Sequence, residues 1–146
     1  KARPTDLEAI DASLLRSQEE AGNNAGDGYV LGRLAASGGF EVRVIAVTPP
    51  DRLSAAAASA WEDFSTGGGR VEPLSTDLSL ADDVIVDGLL GTGIDRDLDG
   101  AFVAAVAAIN GASIPVLALD IPTGLHADTG LPLGAAVHAD VTITFV

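Results

Sequence analysis

The chain of 146 residues has the length of one ordinary domain, and 47% of its residues are hydrophobic, which is ample for a buried core. Asp and Glu number 21 against 8 for Lys and Arg, and the resulting formal net charge of −13 argues against nucleic acid or an anionic membrane as a partner. The absence of cysteine excludes disulfides, thiol catalysis and cysteine-ligated metal.

The sequence carries no pattern of membrane insertion or export. No run approaches the roughly 18 apolar residues of a membrane span, and the N-terminus does not resemble a signal peptide. We therefore expect a cytoplasmic location. Because the chain begins at Lys1 and contains no methionine, we expect it to be part of a longer translation product.

The first half of the chain alternates predicted helices and strands. Thr5 to Glu8 has the form of a capping box, and Leu7, Ile10 and Leu14 recur at helical spacing, so we predict an amphipathic helix over residues 5–17. The predicted elements that follow are a glycine-rich loop at 21–28, a helix from 29 that stops at 38–39, a strand at 41–47, a helix at 54–64 and a short strand at 71–74.

The second half repeats this alternation more clearly. Two apolar runs each end in an acid, at Asp87 and at Asp120. The elements predicted here are strands at 83–87 and 115–120, a loop at 88–100, a helix at 101–110 and a last strand at 140–146. Continuous apolar strands between helices indicate a parallel sheet covered on both faces, so we predict one Rossmann-like, doubly wound α/β domain over residues 1–146.

The glycine-rich stretch AGNNAGDG at residues 21–28 reads as a ligand loop, because glycines permit positive φ and close approach of the backbone. It matches neither of the common phosphate-binding patterns, Asp27 would repel a phosphate, and an ordinary turn remains the alternative. Such a loop should follow a buried strand, and residues 15–21 have no strand pattern. We therefore expect that the turn is of another kind or that a first strand is absent, with a segment missing near residues 17–21.

Three polar clusters fall where ligands bind in an open α/β sheet, beyond the carboxyl ends of the strands. They span residues 23–27, residues 87–97 and residues 120–130. Asp87 and Asp120 could instead cap the turns that follow them. The only lysine is Lys1 and there are two histidines, which leaves no phosphate-loop or Schiff-base lysine and makes a multi-histidine metal site implausible.

Oxygen ligands in these clusters suit a hard cation. Asn24, Asp87 and Thr123 offer an amide, a carboxylate and a hydroxyl. Because only one of the three carries a full charge, a monovalent ion fits at least as well as Mg²⁺.

Taken together, the clusters resemble the NAD(P)HX epimerase family, the YjeF N-terminal domain. The resemblance rests on three motifs in order, NNAGDG at 23–28, VDGLLGTG at 86–93 and LDIPTGLHADTG at 119–130, and on the closing ADVTITF at 139–145. It covers residues 22–146. Two positions depart from the usual pattern, since Ala25 stands where a glycine is usual and Thr123 where a serine is usual, although threonine keeps the oxygen.

The resemblance implies a Rossmann-like fold and a repair activity that converts the R form of hydrated NADH or NADPH (NAD(P)HX) to the S form. It implies a partner, an ATP- or ADP-dependent NAD(P)HX dehydratase, either fused or separate, and it leaves open a homodimer. It further implies a potassium ion held by Asn24, Asp87 and Thr123. The residues that it implies in substrate binding are Asn23, Asn24, Ala25, Gly26, Asp27, Gly91, Thr92, Gly93, Ile94, Asp95, Arg96, Asp97 and Asp120.

The substrate of that family sets the chemistry we expect. Its hydroxyl-bearing carbon next to the ring nitrogen can exchange water through an iminium-like cation, which calls for a general acid/base and nearby negative charge. Asp120 is our first choice for the acid/base and Asp27 the second. Two alternatives remain open: a non-catalytic nucleotide- or RNA-binding or dimerising module of the same fold, and a plain NAD-dependent dehydrogenase, which would lack its glycine fingerprint here.

Overall fold

The computed structural model describes the backbone of residues 7–11 and all of residues 24–145. Within these ranges, six strands form one parallel sheet in the order β3-β2-β1-β4-β5-β6. The strands are β1 (Leu7–Asp11), β2 (Val42–Ala46), β3 (Arg70–Pro73), β4 (Val84–Gly88), β5 (Val116–Leu119) and β6 (Val141–Ile143). The helices are α1 (Asn24–Ser37), α2 (Ala55–Thr66) and α3 (Gly100–Gly111), with a short 3₁₀ turn at Pro50–Arg52.

The centre of the sheet is β1, which pairs with β2 on one side and with β4 on the other, Leu7 being opposite both Val42 and Val84. The strand order reverses between β1 and β4, and the carboxyl edge at such a switch point is where α/β sheets bind ligands.

The predicted helix over residues 5–17 is therefore wrong across Leu7–Asp11, which form the central strand. Leu7 and Ile10 satisfy a helical spacing, but a strand paired on both sides in a parallel sheet needs no alternating pattern. Pairing on both sides overrides the local capping signal. The expected absence of a first strand is wrong for the same reason, and the segment near residues 17–21 lies outside the described residues.

The glycine-rich stretch is helical where the structure describes it, since α1 begins at Asn24 rather than near Tyr29. Gly26 and Gly28 are buried in α1 and have no positive φ. Gly28 packs closely against β4, because a Cβ added to Gly88 would lie 3.5 Å from the Gly28 Cα. Small residues here bring the first turns of α1 close to the end of β4.

Successive residues of each strand point to opposite faces of the sheet and divide the core in two. On one face, Ile45 of β2 and Ile85 of β4 pack with α3. On the other face, Val44 and Val86 pack with Phe64 of α2. Helices on both faces confirm the predicted doubly wound architecture. The predicted strands from β2 to β5 are present with small shifts at their ends, whereas the last strand, predicted over residues 140–146, covers only Val141–Ile143. Among the described residues, no helix is long and apolar enough to cross a membrane.

No helix joins β3 to β4, so the connection over residues 74–83 runs back across the α3 face as an extended segment. Arg43 of β2 fixes its course. The Arg43 guanidinium donates to the Ser79 carbonyl at 2.8 Å and to Asp82 Oδ2 at 3.3 Å, and it also contacts Glu72 Oε2 at 3.4 Å. These bonds from Arg43 thus tie the connection to the sheet.

Replacing Gly69 with alanine should destabilise the α1–α2 side of the core. An added Cβ would overlap the ring of Phe64, which is buried, so the ring must leave its position at a cost of about 1–3 kcal/mol. Urea unfolding measures this loss. Gly111→Ala is the control, since an added Cβ there meets no atom within 4 Å; equal stability of the two variants would contradict the packing argument.

Candidate functional site at the switch point

Three parts of the chain meet at the carboxyl edge of the sheet: the start of α1, the loop after β4 and the loop after β5. Asn24 Nδ2 donates to the Leu119 carbonyl at 3.2 Å, which joins α1 to the end of β5. Thr123 donates its backbone N–H to Asp87 Oδ2 at 2.8 Å, which joins the two loops. The three polar clusters predicted from the sequence therefore form one continuous site.

Asp87 is fully buried at the end of β4, and three donors surround its carboxylate. Oδ1 accepts from the Thr123 hydroxyl at 2.7 Å and from the Leu89 backbone N–H at 3.2 Å, while Oδ2 accepts from the Thr123 backbone N–H. Burial raises the pKa of Asp87 to about 6, and these hydrogen bonds oppose the rise only in part. The charged carboxylate is thus held at a free-energy cost that a nearby positive charge would offset.

The Thr123 hydroxyl links the two loops. It donates to Asp87 and accepts from the Leu90 backbone N–H at 3.0 Å, and the Leu90 carbonyl lies 3.3 Å away as a second acceptor. Gly124, the next residue, has φ +91°, and any side chain there would overlap the Ala135 carbonyl. Position 124 therefore requires glycine, both for its positive φ and because no space is left for a side chain.

Asn24 presents a buried acceptor with no partner among the described residues. Its side-chain nitrogen is bonded to Leu119, but Oδ1 has no hydrogen-bond partner although the residue is only 4% exposed. An unsatisfied buried polar atom costs about 1–3 kcal/mol. An oxygen in this position is suited to a cation or to a donor on a ligand.

Asp120 follows β5 with φ +66°, in the left-handed region. Its Oδ2 accepts from the Thr92 backbone N–H at 3.2 Å, across from the loop after β4. Such a backbone conformation costs on the order of 1–3 kcal/mol in a residue other than glycine and is concentrated at functional sites.

A second carboxylate, that of Asp27, lies close enough to Asp120 to be affected by its charge. Partial burial raises the pKa of Asp27, and the negative charge of Asp120 raises it further. The two acids that the sequence singled out for proton transfer therefore act on each other, and the protonated form of Asp27 is favoured when Asp120 is charged.

Asn24 and Asp120 come together at Gly91. A Cβ on Gly91 would lie 2.9 Å from Asp120 Oδ2 and 3.4 Å from Asn24 Cβ. Because Gly91 has no side chain, both polar groups approach the same stretch of backbone. Asn24, one of the residues predicted to bind a cation, and Asp120 are thus neighbours.

The other predicted substrate residues divide by burial. Asn23 lies outside the described residues, and Ala25 and Gly26 are buried within α1. Ile94 packs against the α3-side core. The exposed members form the rim of the site, namely Asp27, Thr92, Gly93, Asp95, Arg96 and Asp97.

The rim is held by the loop between β5 and β6. The Leu98 backbone N–H donates to the Leu133 carbonyl at 3.0 Å. Gly134 lies against Asp97, with a built Cβ at 3.5 Å from the Asp97 Cβ.

The two histidines serve local structure. His126 Nδ1 accepts from the Asp128 backbone N–H at 3.2 Å, and the His138 backbone N–H donates to Asn110 Oδ1 at 2.8 Å. A cavity of about 560 Å³ lies beside Asn110 and His138, between the end of α3 and residues 132–139. Asp87, Asp120 and Asn24 do not line it.

Reasoning from the sequence alone misses the two residues that support the Asp120 backbone. The Asp120 backbone N–H donates to the Ile143 carbonyl at 2.7 Å, and the Thr144 hydroxyl donates to the Asp120 carbonyl at 2.9 Å. Both belong to the closing segment that resembles the family, so a signal was present. A threonine just beyond an edge strand nevertheless has no site pattern of its own.

The fold and the position of this site define a class: a Rossmann-like α/β domain with a polar site at its topological switch point. The crystal structure of yeast ynu0 has this fold, with a TM-score of 0.79 over 97% of this chain and 58% of that one, at 19% sequence identity.

The chain belongs to the family described as YjeF-related protein N-terminus, whose sequence model matches residues 20–146. It is 45% identical over 132 residues to the Bifunctional NAD(P)H-hydrate repair enzyme Nnr of Thermofilum pendens, covering 85% of this chain and 25% of that protein. It is 40% identical over 130 residues to the NAD(P)H-hydrate epimerase of Bordetella pertussis, covering 86% of this chain and 56% of that protein. The chain thus spans a quarter to about half the length of these relatives.

The free energy of unfolding should fall as the pH rises, because of the raised pKa of Asp87. Its pKa is raised from 3.8 to about 6 on folding, so the folded protein binds this proton more tightly and its stability falls as pH rises across that window. The loss is about 3 kcal/mol by pH 7 in a buffer whose only cation is tetramethylammonium.

Asp87→Asn cannot titrate and isolates this contribution from that of the other acids. The unfolding free energy of the wild type minus that of the variant, from urea titrations at several pH values, should decline between about pH 4 and pH 6. A difference that stays constant with pH would contradict the raised pKa.

Proposed function

We propose that this domain catalyses the epimerisation of the R form of hydrated NADH or NADPH to the S form. The relatives named as NAD(P)H-hydrate epimerase and repair enzymes support this, over most of the present chain. The observation that carries it is the Asp120 carboxylate, which is held at the switch point by the Thr92 backbone N–H, beside Asp27 and the buried oxygens of Asn24 and Asp87.

The reaction needs one proton delivered and one removed. Protonation of the hydroxyl oxygen lets the C–O bond break with its electron pair leaving on water, and the ring nitrogen lone pair forms the C=N bond of an iminium-like cation. Water then adds to the opposite face of that carbon and gives up a proton, so the net proton balance is zero. General acid/base catalysis of this kind contributes about 10²- to 10⁴-fold.

Asp120 supplies and recovers the proton. Its position against the Thr92 backbone N–H orients one oxygen and leaves the other for the substrate. Because its pKa is raised, Asp27 holds a proton more readily than a free aspartate and can exchange it with Asp120.

The nucleotide lies along the start of α1 and the rim formed by residues 91–97. Backbone at Gly91 and Gly93 allows close approach, and Arg96 offers a positive charge in a segment that also carries Asp95 and Asp97. The first turn of α1, including Ala25 and Gly26, presents its backbone to the substrate, and Asn23, which precedes α1 in the sequence, stays a predicted substrate residue.

A potassium ion fits the oxygen set of Asn24, Asp87 and Thr123. Asn24 Oδ1 is a buried acceptor without a partner among the described residues, and the buried Asp87 carboxylate lacks a compensating positive charge there. Across residues 24–145, no group of three His, Cys, Asp or Glu side chains is arranged for a divalent metal. When bound, the ion would supply positive charge that keeps Asp87 ionised and orders the loops after β4 and β5.

A dehydratase that depends on ATP or ADP completes the proposed repair, either fused to this domain or as a separate protein. Relatives named as bifunctional repair enzymes, from Thermofilum pendens and Leishmania major, support the fused arrangement. The dehydratase would consume the S form that this domain produces, in the cytoplasm.

Asp120→Asn should abolish catalysed exchange. The wild type, incubated with separated R-NADHX and R-NADPHX, should form the S form faster than the uncatalysed control, as followed by chromatography. The variant should lose about 100-fold or more of that acceleration, because an amide cannot deliver the proton.

Asp128→Asn is the matched control, since Asp128 is an exposed acid of the same loop that lies outside the proposed machinery, and this variant should keep full activity. Equal activity of the two variants would overturn the role of Asp120. A folded wild type with no acceleration would instead favour a non-catalytic binding module.

Potassium should raise the melting temperature of the apoprotein. A ligand present at 100 times its Kd stabilises by about 2.7 kcal/mol, so KCl should exceed an equal concentration of choline chloride in a thermal-unfolding series. Asn24→Leu removes the unpartnered oxygen and should abolish the difference between the two salts.

Asn110→Leu provides the control for this series. Asn110 also donates to a backbone carbonyl, that of Ala136 at 2.9 Å, but it lies at the far end of α3. This variant should lose stability and keep its response to potassium. A potassium response that survives in Asn24→Leu would disprove the proposed ligand set.

A further inference from the structure

Asp120 is the central residue of a three-residue turn. The Ile121 backbone N–H donates to the Leu119 carbonyl at 2.8 Å, two residues back, and Asp120 has φ +66°. An i to i+2 hydrogen bond around a residue with positive φ marks the rarer, strained form of the γ-turn. In the part of the chain that the structure describes, Asp120 is the only residue other than glycine with a positive φ.

The end of β6 holds this turn from behind. The Asp120 N–H donates to the Ile143 carbonyl at 2.7 Å, which extends the pairing of β5 and β6 by one residue. The Thr144 hydroxyl donates to the Asp120 carbonyl at 2.9 Å. Both polar groups of the Asp120 backbone are thus fixed by two adjacent residues.

On the side away from β6, one hydrogen bond holds the Asp120 carboxylate. Asp120 Oδ2 accepts from the Thr92 N–H, and the missing side chain of Gly91 leaves it the room to do so. Because the direction of the Asp120 Cα–Cβ bond depends on φ, a return to negative φ would swing the carboxylate away from Thr92. The backbone restraint and the carboxylate position are therefore coupled.

We propose that Thr144 is a positioning residue, whose hydroxyl holds Asp120 in its strained turn and so directs the carboxylate into the site. This inference rests on the proposed epimerase function for its kinetic consequence. Thr144 reaches the site only through the Asp120 carbonyl, so its loss lowers the rate of the chemical step and leaves substrate affinity nearly unchanged.

Four variants test this proposal by steady-state kinetics. Thr144→Val and Thr144→Ala remove the hydroxyl and should lower kcat by about 10- to 100-fold with KM within about twofold. Thr144→Ser keeps the hydroxyl and should retain kcat within about threefold. Thr142→Val changes an exposed threonine of β6, two residues before Thr144, and should behave as the wild type.

A double-variant cycle identifies the route of the effect. In the Asp120→Asn background, Thr144→Val should cause no further loss of activity, because the group that Thr144 positions has already been removed. Loss of the same size in both backgrounds, or wild-type kcat in both hydroxyl-free variants, would overturn the proposal.

An NMR readout separates this inference from the proposed function. The Thr92 amide resonance should shift in Thr144→Val and Thr144→Ala but not in Thr142→Val, since its hydrogen bond to Asp120 Oδ2 is broken. If the wild type does not accelerate epimerisation, the proposed function fails, and this shift alone supports the positioning role. An unmoved Thr92 resonance in both hydroxyl-free variants contradicts it.

Discussion

The buried carboxylate of Asp87 dictates how the loops around the switch point are arranged. A carboxylate removed from water needs donors on both oxygens, and the Leu89 N–H, the Thr123 N–H and the Thr123 hydroxyl supply them. Meeting that demand turns the loop after β4 back toward β5 and ties it to the loop that follows β5. The backbone at Gly91 is thereby brought against Asp120 and Asn24. The geometry of the proposed acid/base follows from the needs of a different, buried acid.

Much of the fold could be predicted, because most strands of a doubly wound sheet are continuous apolar runs. β4 and β5 were recognised as such runs ending in acids, and each acid lies at the carboxyl edge as expected. The β1 segment is not predicted as a strand because Leu7–Asp11 is short, contains two acids and overlaps a helix-capping signal. Only its pairing with β2 and β4 makes it a strand, and such long-range pairing leaves no local trace in the residues.

The site was predictable only in part, for a related reason. The family-like motifs predict Asn24, Asp87 and Thr123 as oxygen ligands, and the structure brings the elements that carry them together. The strained turn of Asp120 and its support by Thr144 depend on φ and on contacts 24 residues apart. Likewise, the glycines of NNAGDG suggested positive φ, whereas Gly28 is needed for helix-to-strand packing against Gly88. The sequence shows where a glycine stands, but it does not show whether that glycine is needed for positive φ or for close packing.

The three-residue strand β6 has a consequence for the thermal behaviour of the molecule. Val141 and Ile143 are about half exposed, at 57% and 46%, so little burial holds the strand in place in this chain. Elements with few buried contacts open at free energies far below that of global unfolding. Because the Asp120 backbone is bonded to Ile143 and Thr144, fraying of β6 would release the strained turn while the rest of the sheet stays folded. Heating would then disorder the Asp120 turn at a temperature below that at which the rest of the domain unfolds.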